Sequence, residues 1–155
     1  MSGIAASLHL GYIYQKNGRM NDITITAWVE APLDKVWAYW TQPEHIMNWN
    51  HASDDWHCPK AVNDLVKGGE FHYTMAAKDG SFSFDFNGTY EEIHPGVSID
   101  YFIEDGRKVS VQFQSEGEGV RVTSAFEPEE VNSMEVQKAG WQAILDNFKK
   151  CVETE

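Results

Sequence analysis

The densest group of reactive side chains lies in the run Asn50-His51-Ala52-Ser53-Asp54-Asp55-Trp56-His57-Cys58. Two chemistries suit that mixture. Asp54 or Asp55 can orient His57, whose imidazole titrates near neutral pH, to give an acid–base pair at the mouth of a pocket. A polar strand edge without chemistry is the alternative. His51, His57, Cys58 and a carboxylate are also the donor types of a tetrahedral zinc site. Neighbouring residues on a strand point to opposite faces, so His57 and Cys58 do not converge, and no metal centre is expected.

A second set is aromatic. Trp49, Trp56, Tyr73, Tyr101 and Trp141 each join a large ring to a polar atom able to orient a bound molecule. Together with Met75, Phe86, Phe113 and Leu145 they are the expected ligand-binding residues, with Tyr73, Tyr101 and Trp141 foremost. The competing reading is that the same rings fill a solid core. His72 and Asp85 fall on the solvent face of their hairpin, close enough for a surface contact. No Gly-rich phosphate loop, nucleophile elbow, paired Cys motif or dinucleotide fingerprint occurs, so no cofactor is expected.

Periodicity identifies the elements that must position these groups. Ile23, Ile25, Ala27 and Val29 alternate with Thr24, Thr26, Trp28 and Glu30, the pattern of a half-buried strand. Ala31-Pro32 ends it, and Pro32 suits the first turn of a helix because its missing N–H would be unpaired there. Leu33, Val36, Trp37 and Trp40 give that helix an inward face. Thr41 or Gln42 caps a second short helix, which carries Met47 and Trp49. Ser53 to Cys58 reads as a short strand and Pro59 to Lys67 as a connection.

Lys78-Asp79-Gly80-Ser81 centres Asp-Gly in a two-residue hairpin loop. That register sets Ala77 opposite Phe82, Met75 opposite Phe84 and Tyr73 opposite Phe86. Phe71, Tyr73, Met75, Phe84, Phe86 and Tyr90 then share the face that looks at a helix. Three further strands carry Tyr101, Val111 and Val122, divided by turns at Asp105-Gly106 and Gly117-Glu118. From Glu130 to Thr154 the spacing is that of one long helix. Met134, Lys138, Trp141, Leu145, Phe148 and Val152 form its stripe, and Asn132 with Glu135 its capping box. The fold class is α+β: a curved antiparallel sheet of about seven strands around a long C-terminal helix, with two short helices after the first strand.

At 155 residues the chain suits one domain around one core. Residues 20–155 are read as that domain and residues 1–19 as an N-terminal extension, a leading strand from Leu8 to Tyr14 being the alternative. Lys plus Arg number 12 against 24 Asp plus Glu, a formal charge of −12, which disfavours nucleic acid and anionic membrane as partners. No apolar run approaches the ~20 residues that cross a bilayer. Residues 1–20 lack the charged start and apolar block of a secretion signal, so a soluble, cytoplasmic protein is expected. Cys58 and Cys151 are too few for a disulfide framework. Exposed strand edges and an outward Trp28 leave a homodimer open.

Five segments follow one another in fixed order: Ala31-Pro32-Leu33-Asp34-Lys35-Val36-Trp37, Pro43-Glu44-His45 through Trp49, Gly68-Gly69-Glu70-Phe71, Gly88-Thr89-Tyr90-Glu91-Glu92-Ile93, and Gly140-Trp141. In that order and spacing, from about Asp22 to Val152, the chain resembles the START-like superfamily, also called SRPBCC or helix-grip proteins. More narrowly, it resembles the family named after the activator of the heat-shock-protein-90 ATPase. The resemblance implies a helix-grip fold with an elongated hydrophobic cavity between sheet and long helix. It implies, as function, binding of a small hydrophobic or aromatic molecule, since relatives bind lipids, sterols, polyketides or plant hormones. Polyketide cyclases among the relatives imply a cyclase- or hydrolase-type enzyme as an alternative, with Asp54, Asp55, His57 or a tyrosine moving the proton. The family's name implies a chaperone-associated module as another. Fold-level likeness alone carries no function across.

Overall fold

The computed structural model describes residues 21–155. The extension at residues 1–19 and the strand from Leu8 to Tyr14 lie outside the described residues. Strand β1 spans Ile23–Val29, helix α1 Leu33–Thr41 and helix α2 Pro43–Trp49. Then come β2 (Trp56–Asn63), β3 (Glu70–Ala77), β4 (Ser83–His94), β5 (Ser98–Ile103), β6 (Lys108–Glu116) and β7 (Gly119–Phe126), and α3 (Met134–Thr154) closes the order. The strands form one antiparallel sheet ordered β1-β7-β6-β5-β4-β3-β2. Successive hairpins build it from β2 to β7, and β1 returns to pair beside β7. The sheet curls around α3, which packs against β1, α1 and α2. This is the helix-grip fold.

The core follows the period-two pattern. β1 buries Ile23, Ile25, Ala27 and Val29, and Val109, Val111, Phe113, Val120, Val122 and Phe126 continue that layer on β6 and β7. Trp28, on the other face, lies over Gly119 and donates its indole N–H to the Glu116 carbonyl at 2.8 Å. Among the described residues no helix is long and apolar enough to cross a membrane.

Several local features differ from expectation. The strand expected at Ser53 to Cys58 starts at Trp56 and runs through Pro59 to Asn63. β2 is an edge strand whose register shifts between His57 and Lys60, and a bulge on an edge tolerates a residue without an N–H. Pro32 precedes α1 as its N-cap instead of opening the first turn.

In the β3–β4 hairpin, Met75 faces Phe84 and Tyr73 faces Phe86 as the Asp-Gly signal predicts. The loop nevertheless has four residues: Ala77 N–H donates to the Phe82 carbonyl at 2.8 Å, and Gly80 N–H to the Ala77 carbonyl at 3.0 Å. Gly80 takes φ 80° while Asp79 stays at negative φ, so the two consecutive left-handed residues of a type I′ loop are not required. On the solvent face His72 contacts Asn87 at 3.0 Å and Glu70 at 3.1 Å, and Asp85 accepts from Thr74 at 3.0 Å. The expected contact between His72 and Asp85 is not made, because the register sets His72 opposite Asn87 and Asp85 opposite Thr74.

The N-cap of α3 is Ser133, whose Oγ accepts from the Val136 N–H at 3.1 Å. Asn132 instead donates its backbone and side-chain N–H groups to the Glu129 carboxylate. Met134 and Lys138, expected on the buried stripe, are exposed. Gln137 takes the inward position. Its Nε2 donates to the carbonyls of Glu129 at 3.0 Å and Asn132 at 2.8 Å, and its Oε1 accepts from the Glu129 N–H at 2.8 Å. A fully paired amide is cheap to bury, yet a search for apolar spacing passes over it.

Candidate functional site

Between the curled sheet and α3 lies a cavity of about 240 Å³. Phe71, Tyr73 and Met75 on β3, Phe84, Phe86 and Tyr90 on β4, and Ile99 and Tyr101 on β5 form its sheet wall. They are inward positions on adjacent strands, one residue in two. α3 contributes Trp141, Ile144 and Leu145; Trp40, Trp49 and Asn50 come from α1 and the end of α2. Ile25, Ser124 and Arg107 complete the lining.

Two glycines shape the sheet wall. A Cβ on Gly88 would collide with the Phe71 ring. Its absence lets that ring lie against β4, stacked on Tyr73 at 4.8 Å and edge-on to Tyr101 at 5.1 Å between centroids. A Cβ on Gly69 would likewise collide with the Asp64 carbonyl, and the Gly69 carbonyl accepts the Tyr90 N–H at 2.9 Å, which holds Tyr90 in the wall.

On the helix side the rings pack in two groups. Phe148 is fully buried and meets Trp40 and Trp49 edge-on, both at 4.9 Å. The Trp49 indole donates to the Tyr39 carbonyl at 2.8 Å. Trp141 stacks on Phe126 at 3.9 Å and stands edge-on to Phe86 at 6.1 Å, which bridges α3 to the sheet.

The polar groups of the wall are mostly neutral. The Tyr90 hydroxyl donates to Asn63 Oδ1 at 2.6 Å, and the Asn63 amide donates to the Thr41 carbonyl at 2.6 Å, tying β4 to β2 and to the end of α1. Burial pushes the Tyr90 phenol up to about 12. Burial first, and neighbouring tyrosines second, also drive Tyr73 and Tyr101 upward. All three therefore remain protonated hydrogen-bond donors at neutral pH. Arg107 reaches the wall from the β5–β6 turn, donating Nε to Asp105 at 2.8 Å and Nη1 to the Glu127 carbonyl at 3.1 Å.

Of the expected ligand residues, Trp49, Tyr73, Met75, Phe86, Tyr101, Trp141 and Leu145 line this cavity, and Trp56 and Phe113 stand outside it. Phe113 is buried beneath α1, edge-on to Trp37 at 5.2 Å and Trp40 at 5.8 Å, so the helix fills the space in front of its ring. Trp56, at the start of β2, packs 6.0 Å from Phe82 and 5.9 Å from Phe84, beside the β3–β4 hairpin loop. The expected set did not include Ile25, Trp40, Phe71, Phe84, Tyr90 or Ile99, nor Asn50, Arg107, Ser124 or Ile144, all of which line the cavity. For Ser124 the available signal was its inward parity between Val122 and Phe126; for Asn50, polar and just past a helix end, there was none.

Asp54, Asp55 and His57 are also outside the lining. Asp54 and Asp55 are exposed, and Asp55 accepts the Ser53 hydroxyl at 2.6 Å. Cys58 is buried, with its thiol pushed up by burial. Among the described residues no three His, Cys, Asp or Glu side chains gather to hold a metal ion.

The histidine that α3 does engage is His51. Asn147 donates to His51 Nε2 at 2.9 Å and to the Trp49 carbonyl at 2.9 Å. Accepting at Nε2 places the imidazole proton on Nδ1, which is buried without a protein partner. Burial, and then the charge of Lys78, lowers the His51 pKa, with His57 acting the same way and Asp54 opposing them. The folded protein thus binds this proton less well than the unfolded chain does. Stability conferred by neutral His51 is complete above the ordinary imidazole range near ~6.5, and declines as pH falls from there toward the lowered folded value. His51→Gln keeps an acceptor for Asn147 and is expected to flatten the loss of melting temperature between about pH 7 and pH 5. An unchanged slope would assign that loss to the carboxylates.

The family described as activator of Hsp90 ATPase homolog 1-like protein matches residues 30–153. An AHSA1-like protein from Aeromonas hydrophila, solved in solution, is 45% identical over 86% of this chain and 92% of its own, with a TM-score of 0.82. A Cytophaga hutchinsonii protein is 50% identical over 86% of this chain and 93% of its own, with a TM-score of 0.75. A Chromobacterium violaceum protein, at 22% identity and a TM-score of 0.77 over 87% and 99% of the two chains, shares the fold. No curated protein matches the chain. With a helix-grip sheet closed by α3 and a match that runs from the residue after β1 to the last turn of α3, the chain belongs to the activator of Hsp90 ATPase homolog 1-like family.

Proposed function

We propose that this protein binds a small hydrophobic or aromatic molecule in the cavity between the sheet and α3. The observation that supports this most directly is the cavity itself, about 240 Å³ of space walled chiefly by aromatic and aliphatic side chains. At roughly 24 cal/mol per Å³ an apolar hollow of that size, left empty, costs up to about 6 kcal/mol relative to a filled core. That is comparable to the whole stability of a small domain, about 5–15 kcal/mol. Aromatic residues elsewhere in the fold pack ring on ring, as at Trp40, Trp49 and Phe148, so filling the hollow is within the chain's means. Of the groups that could move a proton in the enzyme reading, Asp54, Asp55 and His57 lie outside the lining, and the tyrosines within it are held protonated by burial, which favours binding over turnover.

An environment-sensitive hydrophobic dye is expected to bind the folded protein saturably and to be displaced by competing apolar molecules. Trp141→Ala removes the ring that stacks on Phe126 and abuts Phe86. It is expected to weaken dye binding roughly three- to tenfold, the scale of a lost aromatic pair. Unsaturable binding that ignores Trp141→Ala would sink the cavity reading.

A further inference from the structure

We propose, resting on that reading of the cavity, that its ligand is a neutral molecule of one or two rings bearing a carbonyl or hydroxyl oxygen, held by Asn50 and Ser124. Size sets the ring count. A cavity of about 150 Å³ accepts benzene. The 240 Å³ here scales to on the order of ten non-hydrogen atoms, two fused rings and not a sterol or acyl lipid enclosed whole.

Polarity sets the oxygen. Setting aside the tyrosines, Trp49 and the two cysteines, five polar side chains are buried among the described residues: Thr41, Asn50, Ser110, Ser124 and Gln137. Thr41 donates to the Trp37 carbonyl, Gln137 pairs with Glu129 and Asn132, and Ser110 also has its partner. Asn50 and Ser124, 5% and 4% exposed, make no side-chain hydrogen bond to the described residues, and both line the cavity. Their polar atoms are not among the sealed, unpaired ones, such as His45 Nδ1 and His51 Nδ1, so they open onto the cavity space. Buried amides and hydroxyls are ordinarily paired, and leaving them unpaired forfeits their hydration. A hydrocarbon ligand would leave both in that state. A carbonyl or hydroxyl oxygen pairs them.

Charge sets neutrality. The phenols of the wall stay protonated, and Arg107 is the one charged residue of the lining. Its charge is already met by Asp105 at 2.8 Å and by the Glu127 carbonyl at 3.1 Å. A carboxylate drawn into the cavity would give up water without gaining an uncommitted cation.

Titrating the full chain with naphthalene, 1-tetralone and 1-naphthoate, followed by calorimetry or tryptophan fluorescence, tests each part. The expected result is that 1-tetralone binds on the order of tenfold more tightly than naphthalene and more tightly than 1-naphthoate. Asn50→Leu and Ser124→Ala should each erase most of the advantage over naphthalene, by weakening 1-tetralone and by strengthening naphthalene, which then leaves one polar group fewer unpaired. Ser124→Ala removes a single oxygen and keeps the test open where Asn50→Leu fails to fold. Equal affinity for naphthalene and 1-tetralone overturns the polar assignment and leaves the cavity reading standing. Tightest binding by 1-naphthoate overturns neutrality. Saturable binding of none of the three overturns this proposal and the cavity reading together.

Discussion

Phe148→Ala is expected to destabilise the protein by about 3–5 kcal/mol, the cost of truncating a fully buried phenylalanine. Phe148 is 0% exposed, and its ring is the one against which Trp40 and Trp49 both stand edge-on, at 4.9 Å each. The indole of Trp49 is anchored to the Tyr39 carbonyl, so the two tryptophans cannot simply collapse into the gap. At roughly 2–4 °C per kcal/mol for a chain of this size, melting should fall by on the order of 10 °C. Because Trp40 and Trp49 are also cavity lining, dye affinity should fall at temperatures where the variant is still folded. A loss in stability below about 1 kcal/mol would mean that the tryptophans repack and that the helix side of the cavity is plastic.

Gly88→Ala is expected to cost about 1–3 kcal/mol by overpacking, although it adds only one methyl group. The added Cβ meets the Phe71 ring on one side and the Phe102 carbonyl on the other. The carbonyl belongs to β5 and cannot yield without breaking the β4–β5 ladder, in which Gly88 pairs with Ile103. Phe71 must therefore move, carrying with it the contacts to Tyr73 and Tyr101 that form the sheet wall. Adding Phe71→Leu to Gly88→Ala should recover part of the loss, a coupling that a double-mutant cycle measures directly. Strict additivity of the two changes would show that the contact does not set the position of Phe71. The Gly88-Thr89-Tyr90 segment of the family resemblance thus has a physical basis in close approach, and Gly68-Gly69 likewise holds the backbone of Tyr90 through two hydrogen bonds.

Much of the fold was legible in the chain because it depends on local geometry. The alternation of Ile23, Ile25, Ala27 and Val29 requires only that strand side chains point to opposite faces. The Asp79-Gly80 signal then settles the pairing of Tyr73 with Phe86, even though the loop closes through four residues instead of two. Errors arose where polar residues replaced apolar ones in structural roles. Gln137 occupies an inward position of α3 through three hydrogen bonds to the preceding turn. Ser133 caps the helix one residue later than the Asn132 and Glu135 pattern suggests.

By itself, the sequence determined the seven-strand sheet, the long closing helix and which face of the β3–β4 hairpin is aromatic, because periods of 2 and 3.6 record burial along each element. Only the tertiary structure decided which of those aromatic residues enclose space. Phe113 and Tyr101 have the same parity and comparable size, yet α1 fills the volume before Phe113 and leaves Tyr101 facing the cavity. Asn50 and Ser124 share the cavity for the same reason. The curl of the sheet and the seat of α3 bring residues far apart in the chain to one wall, a distance between layers that no pattern along a single element encodes.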